Sequence, residues 1–217
     1  MNSSISFDGV IASEIQPLKL AIRESYLRKR RVIEILIILL SSPFVFIFML
    51  IISAAIFITD QGPVFFSQKR YGKCGKLFLI FKFRTMVFNC ESNSLTLPDD
   101  ERLTKLGKVL RKYKLDELPQ LWNVLRGEMS LIGPRPVPQQ FFEYYFYEIP
   151  QYSLRHCIRP GITGWAQVHL GYTNTLEGEK KKFLRDLEYI KNMGRTYDLI
   201  IVRETIARIL QRKQSLE

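Results

Sequence analysis

The chain has 217 residues, enough for one domain with a real core and too few for two ordinary ones. Its net charge of +11 points to an acidic partner: nucleic acid, anionic lipid or a phosphorylated small substrate. Three dispersed cysteines (Cys74, Cys90, Cys157) without a C-x-x-C pair, and only two histidines, argue against a zinc or histidine-ligated centre and for a reducing compartment.

Residues 1–25 show little periodicity beyond a short amphipathic stretch around Ile15 to Ile22, and read as an N-terminal extension. Residues 26–60 read as membrane-inserted. From Val32 to Ile58 only Glu34, Ser41, Ser42, Pro43 and Ser53 interrupt an apolar run of roughly 27 residues, more than the ~20 that cross a bilayer as a helix. Pro43 predicts a kink or break, with Ser41 and Ser42 placed to satisfy freed carbonyls. A helix from Val32 to Pro43 rises about 16 Å, half of a ~30 Å hydrocarbon core. Arg28-Lys29-Arg30-Arg31 before the run and Lys69, Arg70, Lys73 and Lys76 after it would hold both flanks on the cytoplasmic side. A re-entrant helix-break-helix fits both facts; an ordinary kinked spanning helix is the alternative. Either way residues 61–217 form a body at the cytoplasmic membrane surface.

Val64 to Gln68 and Lys76 to Phe83 read as strands of a small hairpin turning at Gly72 and Gly75. Lys82 and Arg84 close the second strand on one face, as a solvated edge or as phosphate collectors. A polar loop spans residues 89–100, and a basic helix runs from Leu103 to Tyr113. Asp116 and Glu117 then stand together at a helix start, behind Arg111, Lys112 and Lys114. As a bland feature, Asp116 is an N-cap with Leu118, Leu121, Trp122 and Leu125 as the helix's apolar face. As a functional one, carboxylates ionised among cations suit a divalent metal and a phosphate together. Adjacent helical positions diverge by about 100°, so the pair converges on one ion only at a helix end.

Gly133-Pro-Arg-Pro136 is stiff, and aims the planar fork of Arg135 as a phosphate ligand. Arg155 and Arg159 precede a Pro-Gly turn with Trp165 and Gln167 downstream. That set suits a nucleotide base and its phosphates, or simply a turn with a buried tryptophan. Glu179 to Met193 is an amphipathic helix with Phe183, Leu184, Leu187 and Ile190 on one side. Tyr197 to Gln211 is another, whose stripe of Leu199, Val202, Ile206, Ile209 and Leu210 suits the core or the lipid interface. The expected fold is α+β and mostly helical.

These motifs, in this order over about residues 27–210, resemble the bacterial sugar transferases, the monotopic phosphoglycosyl transferases of polyprenol-linked glycan synthesis, in their minimal catalytic form. The resemblance rests on Ser42-Pro43, Lys82-Phe-Arg-Thr-Met86, Asp116-Glu117-Leu-Pro-Gln-Leu-Trp-Asn-Val124, Gly133-Pro-Arg-Pro136 and Arg159-Pro-Gly-Ile-Thr-Gly-Trp-Ala-Gln167. After Gln167 the chain departs, where many members have a shorter Asn-Gly-Arg type of loop. The resemblance implies transfer of a phosphosugar from a UDP-sugar to polyprenol (undecaprenyl) phosphate at the bacterial inner membrane, on its cytoplasmic face. It further implies Asp116 as nucleophile, Glu117 as its partner, and Mg²⁺ held by either or both. Arg111, Arg135, Arg155 and Arg159, in that order, would bind phosphates. A membrane-anchored scaffold or a nucleic-acid-binding protein would explain the charge, but not this density of motifs.

Overall fold

The computed structural model describes residues 24–88, 100–170 and 175–214, without the side chains of 212–214. Most of the expected N-terminal extension and of the polar loop at 89–100 lies outside them. Helix α1 (Glu24–Thr59) is a single helix of 36 residues that continues through Pro43. Of the kink or break expected at Ser42-Pro43 the break is therefore absent, and a local bond explains why. Pro43 has no N–H to give the Leu39 carbonyl, and the Ser42 hydroxyl donates to that oxygen at 2.8 Å. Ser41 likewise donates to Ile37 and Ile38.

One stripe of α1 is buried: Arg30, Glu34, Ile38, Ile52 and Ile56. Its first part is polar. Arg30 donates to the Tyr189 hydroxyl (2.6 Å), Asp198 (3.2 Å) and Ser130 (3.0 Å), while Glu34 accepts from the Ser130 hydroxyl and the Leu131 N–H. Ile38 packs with Phe78, Ile80, Val124 and Met129, and Ile52 and Ile56 pack with Phe83 and Leu110. Both ends of the apolar segment thus dock on the same body. Ile38 and Ile52 are fourteen helical steps apart, about 21 Å of helix, less than the ~30 Å of a hydrocarbon core. Leu36, Leu40, Phe44, Ile47, Ile51 and Ile58 stay exposed.

Strands β1 (Phe65–Tyr71) and β2 (Leu77–Phe83) pair antiparallel, with Phe66 opposite Lys82. Their connection needs left-handed backbone at Cys74 and Gly75. Helix α2 (Lys105–Lys112) starts at Thr104, whose hydroxyl caps the Gly107 N–H. A 3-10 turn (Leu115–Glu117) and α3 (Gln120–Leu125) follow. Asn123 fixes α3 to the open edge of β2: its side chain donates to Leu79 O at 2.7 Å and accepts from Phe81 N–H at 3.2 Å. It completes the ladder as a strand would.

β3 (Ser130–Ile132) and β4 (Gly161–Thr163) pair parallel around α4 (Gln139–Glu148) and a 3-10 stretch (Tyr152–Cys157). Short α5 (Trp165–His169), then α6 (Leu176–Asn192) and α7 (Arg195–Gln214), complete a mostly helical fold. The larger core gathers Tyr71, Phe142, Tyr152, Ile158, Phe183 and Tyr189. On α6, Phe183 and Ile190 are buried but Leu184 is not, since a step of one helical position turns it about 100° away. On α7, Ile201 is buried, while Leu199, Val202, Ile206 and Leu210 remain exposed.

Candidate active site

The centre of the site is a pair of carboxylates with different surroundings. Lys114 turns the chain with φ of +60°, which swings Asp116 and Glu117 beneath β2. Glu117 Oε1 accepts from Lys82 Nζ at 2.9 Å and from Arg135 Nη2 at 2.7 Å. Asp116 Oδ1 is buried with no hydrogen-bond partner. The N-cap position of this turn belongs to Lys114, not to Asp116.

Electrostatics follows from that geometry. Burial pushes the Glu117 carboxyl up, but Arg135 and then Lys82 outweigh it and hold the group well below the usual range. Burial pushes Asp116 up too; Lys82, Lys114 and Arg111 oppose it, Glu117 reinforces it, and the carboxyl ends above its usual range. The Lys82 ammonium, buried between them, is pushed down to about 8. Arg111 donates from Nε to the Thr85 hydroxyl at 2.8 Å, which fixes α2 against the end of the hairpin.

Arg135 owes its position to backbone held from three sides. Gly133 N–H donates to Thr163 O and Gly161 N–H to Pro134 O, both at 2.9 Å, so the two proline-glycine turns lie backbone to backbone. A Cβ on Gly133 would sit 2.6 Å from the Arg159 carbonyl, which explains a glycine there. Arg70 Nη1 donates to Pro136 O at 2.6 Å, and Tyr71 N–H to Val137 O at 3.1 Å. Arg155 Nη2 donates to Arg135 O at 3.2 Å. The guanidinium is thus presented by a clamped loop.

The remaining sequence-predicted residues divide. Lys82 and Arg135 meet at Glu117, and Arg111 bears on Asp116 through its charge. Arg84, next to Lys82 in the motif, turns instead to Asp60 just past the end of α1, pairing at 3.3 Å. Arg155 is a core residue, 4% exposed, paired with Glu179 (2.7 Å) and Asp186 (2.6 Å). It supports the Arg135 loop from behind. Arg159 donates to Gly127 O at 2.8 Å, in the turn after α3. Trp165 makes tilted ring contacts with His169 and Tyr197, and Gln167 Nε2 donates to Ile162 O at 2.9 Å. These two brace α5 rather than join Asp116 in any bond or ring contact. Sequence reasoning passed over Gln120 and Asn123, both fully buried. Their signal was two amides among the apolar positions of a short helix.

Among the described residues no three His, Cys, Asp or Glu side chains gather to hold a metal by themselves. The donors here suit an ion that keeps waters and takes phosphate oxygens, as Mg²⁺ does. Asp116 is the carboxylate with room for one, whereas Glu117 Oε1 already faces two cations.

Over residues 25–212 the chain matches the family described as bacterial sugar transferase. It is 43% identical to the UDP-N-acetylgalactosamine-undecaprenyl-phosphate N-acetylgalactosaminephosphotransferase of Aeromonas hydrophila, over 83% of this chain and 43% of that protein. With the UDP-glucose:undecaprenyl-phosphate glucose-1-phosphate transferase of Escherichia coli K12 the identity is 43%, over 81% of this chain and 38% of the relative. An enzyme of the same name from Caulobacter vibrioides is 38% identical over 84% of this chain and 70% of its own length. The chain belongs to the bacterial sugar transferase family, and spans less than half the length of the first two of these relatives.

Proposed function

We propose that the protein moves a phosphosugar from a UDP-sugar to polyprenol phosphate, giving a polyprenyl diphosphosugar and UMP. The observation that carries this reading is the asymmetry of the pair: Glu117 is tied by Lys82 and Arg135, and Asp116 keeps a buried oxygen unbonded. Asp116 Oδ1 attacks the β-phosphorus, the bond to the α-phosphate oxygen breaks, and UMP leaves. The acyl phosphate is then attacked by an oxygen of polyprenol phosphate, which frees the aspartate. Two steps replace one encounter between two anions. Burial favours Asp116 as nucleophile, since desolvation destabilises the carboxylate relative to its phosphorylated product.

Lys82 and Arg135, locked to Glu117, supply fixed positive charge beside the transferred group without moving to meet it. Glu117 is then a positioning residue. Its depressed pKa makes it a poor base, so it holds the two cations in place rather than taking a proton. A Mg²⁺ ion held by Asp116 and phosphate oxygens would neutralise charge on the diphosphate. On this reading the body lies at the bilayer, and α1 is re-entrant, bending at Pro43, with both flanks cytoplasmic; the exposed apolar faces of α1 and α7 support it. The support is that Arg30–Ile38 and Ile52–Ile56 dock on one body. The test is UMP release by detergent-solubilised protein with Mg²⁺, polyprenol phosphate and a panel of UDP-sugars. Release from at least one donor, abolished in Asp116→Asn, is expected. No release, or release untouched by that substitution, sinks the reading.

A further inference from the structure

The turn carrying Asp116 and Glu117 runs into α3 without interruption, because Leu118 (φ −54°, ψ −39°) and Pro119 (φ −60°, ψ −19°) both have right-handed helical backbone. Side chains three and four positions apart on such a segment are neighbours, so Gln120 lies one turn beyond both carboxylates. Gln120 is 1% exposed, and its Nε2 has no hydrogen-bond partner. Asn123, on the same helix and equally buried, is fully used by Leu79, Phe81 and Glu128. Burying amide protons unbonded is unfavourable, and a methionine of similar size would avoid it. Asp116 Oδ1 is the complementary case, a buried acceptor with nothing donating to it.

One turn of helix therefore offers an unbonded acceptor and an unbonded donor that do not bond each other. A single ligand answers both if an electron-poor centre faces the carboxylate while an anionic oxygen faces the amide. A phosphoryl group has that arrangement. We infer that Gln120 is a positioning residue for the transferred phosphoryl group, donating from Nε2 to one of its non-bridging oxygens. This rests on the reading of Asp116 given above. The amide is neutral, so it adds direction where Lys82 and Arg135 add charge.

The test uses Gln120→Met, which removes the donor, and Gln120→Glu, which keeps the shape but only accepts. Two readouts are needed: UMP release, and the rise in thermal midpoint caused by UDP with Mg²⁺, whose β-phosphate mimics the transferred group. Gln120→Met should fold with an unchanged or higher midpoint, lose about 10- to 100-fold in kcat/KM, and respond less to UDP. Gln120→Glu should lose at least as much. Wild-type kcat/KM in either variant, or a UDP response that is absent in wild type or unchanged in Gln120→Met, overturns the inference. If no UDP-sugar yields UMP yet the UDP response depends on Gln120, the transferase reading fails and the phosphoryl contact stands. If wild type is active and Gln120→Met matches it, the reverse holds.

Discussion

Ser42 donates its hydroxyl to the Leu39 carbonyl, the oxygen that Pro43 leaves without a helical donor. The chain thus repairs in one residue what it breaks in the next. Ser42→Ala should cost about 1 kcal/mol in detergent, because the carbonyl is then unpaired in an apolar setting. In a Pro43→Leu background, where the N–H returns, the same substitution should cost much less. Thermal midpoints of the four proteins make a double-mutant cycle, and equal costs in both backgrounds would refute the pairing.

The two carboxylates should separate stability from activity. Glu117→Gln takes away the carboxylate that Lys82 and Arg135 share; solvent at the partly exposed Arg135 screens part of the loss, so the cost falls below that of a fully buried pair. A clear fall in thermal midpoint is expected. Asp116→Asn removes a buried carboxylate with an unbonded oxygen, so the midpoint should hold or rise while UMP release disappears. A destabilised Asp116→Asn beside an unaffected Glu117→Gln would reverse the assignment.

Arg155→Met should fail by unfolding rather than by weak substrate binding. It strands Glu179 and Asp186 in the core, at a cost of roughly 3–5 kcal/mol. Whatever folded enzyme remains should show a nearly unchanged KM for the UDP-sugar. A large KM effect at normal stability would return Arg155 to the list of phosphate ligands.

The topology of α1 has a direct check. Labels placed before Glu24 and after Thr59 should both react from the cytoplasmic side of inverted and right-side-out vesicles. A periplasmic N-terminal label would mean that the helix spans.

Acid should destabilise the fold partly through His156. Buried against Phe142 and bonded through Nδ1 to Gly72 O at 3.0 Å, it is pushed down to about 3 from an ordinary 6.5. Between those values the unfolded chain binds a proton that the folded one refuses. The stability is therefore complete above pH 6.5 and falls as pH drops towards 3, by about 1.4 kcal/mol per unit from this group. Midpoints at pH 7 and pH 5 should differ less in His156→Asn than in wild type; an equal difference would exclude His156.

Much of this was legible in the residues, because local chemistry carried it. The apolar run, the hairpin, the basic helix and the amphipathic C-terminal helices follow from periodicity and turn residues. What failed was partnership at a distance. Arg155 reads as one more arginine in a phosphate-binding motif, and only the fold shows Glu179 and Asp186 waiting for it from α6. Lys82 and Arg84 look equivalent on one strand face, yet the strand ends at Phe83 and sends them to Glu117 and Asp60. Glu34 looks like a blemish in an apolar run, and is a docking residue. The α4 helix and the short β3–β4 pair were missed, since three-residue strands have too few positions to show alternation.

Arg30 and Glu34 emerge from the ribosome long before Ser130, Tyr189 and Asp198, the residues that receive them. On the re-entrant reading, a helix seated in lipid keeps these two charged side chains at its rim until Tyr189 and Asp198 have been made. On that reading the body closes around α1 at the membrane. A chain without α1, or with a borrowed hydrophobic helix instead, would lack Arg30 and Glu34, and the body would lose the bonds that Ser130, Tyr189 and Asp198 make to them.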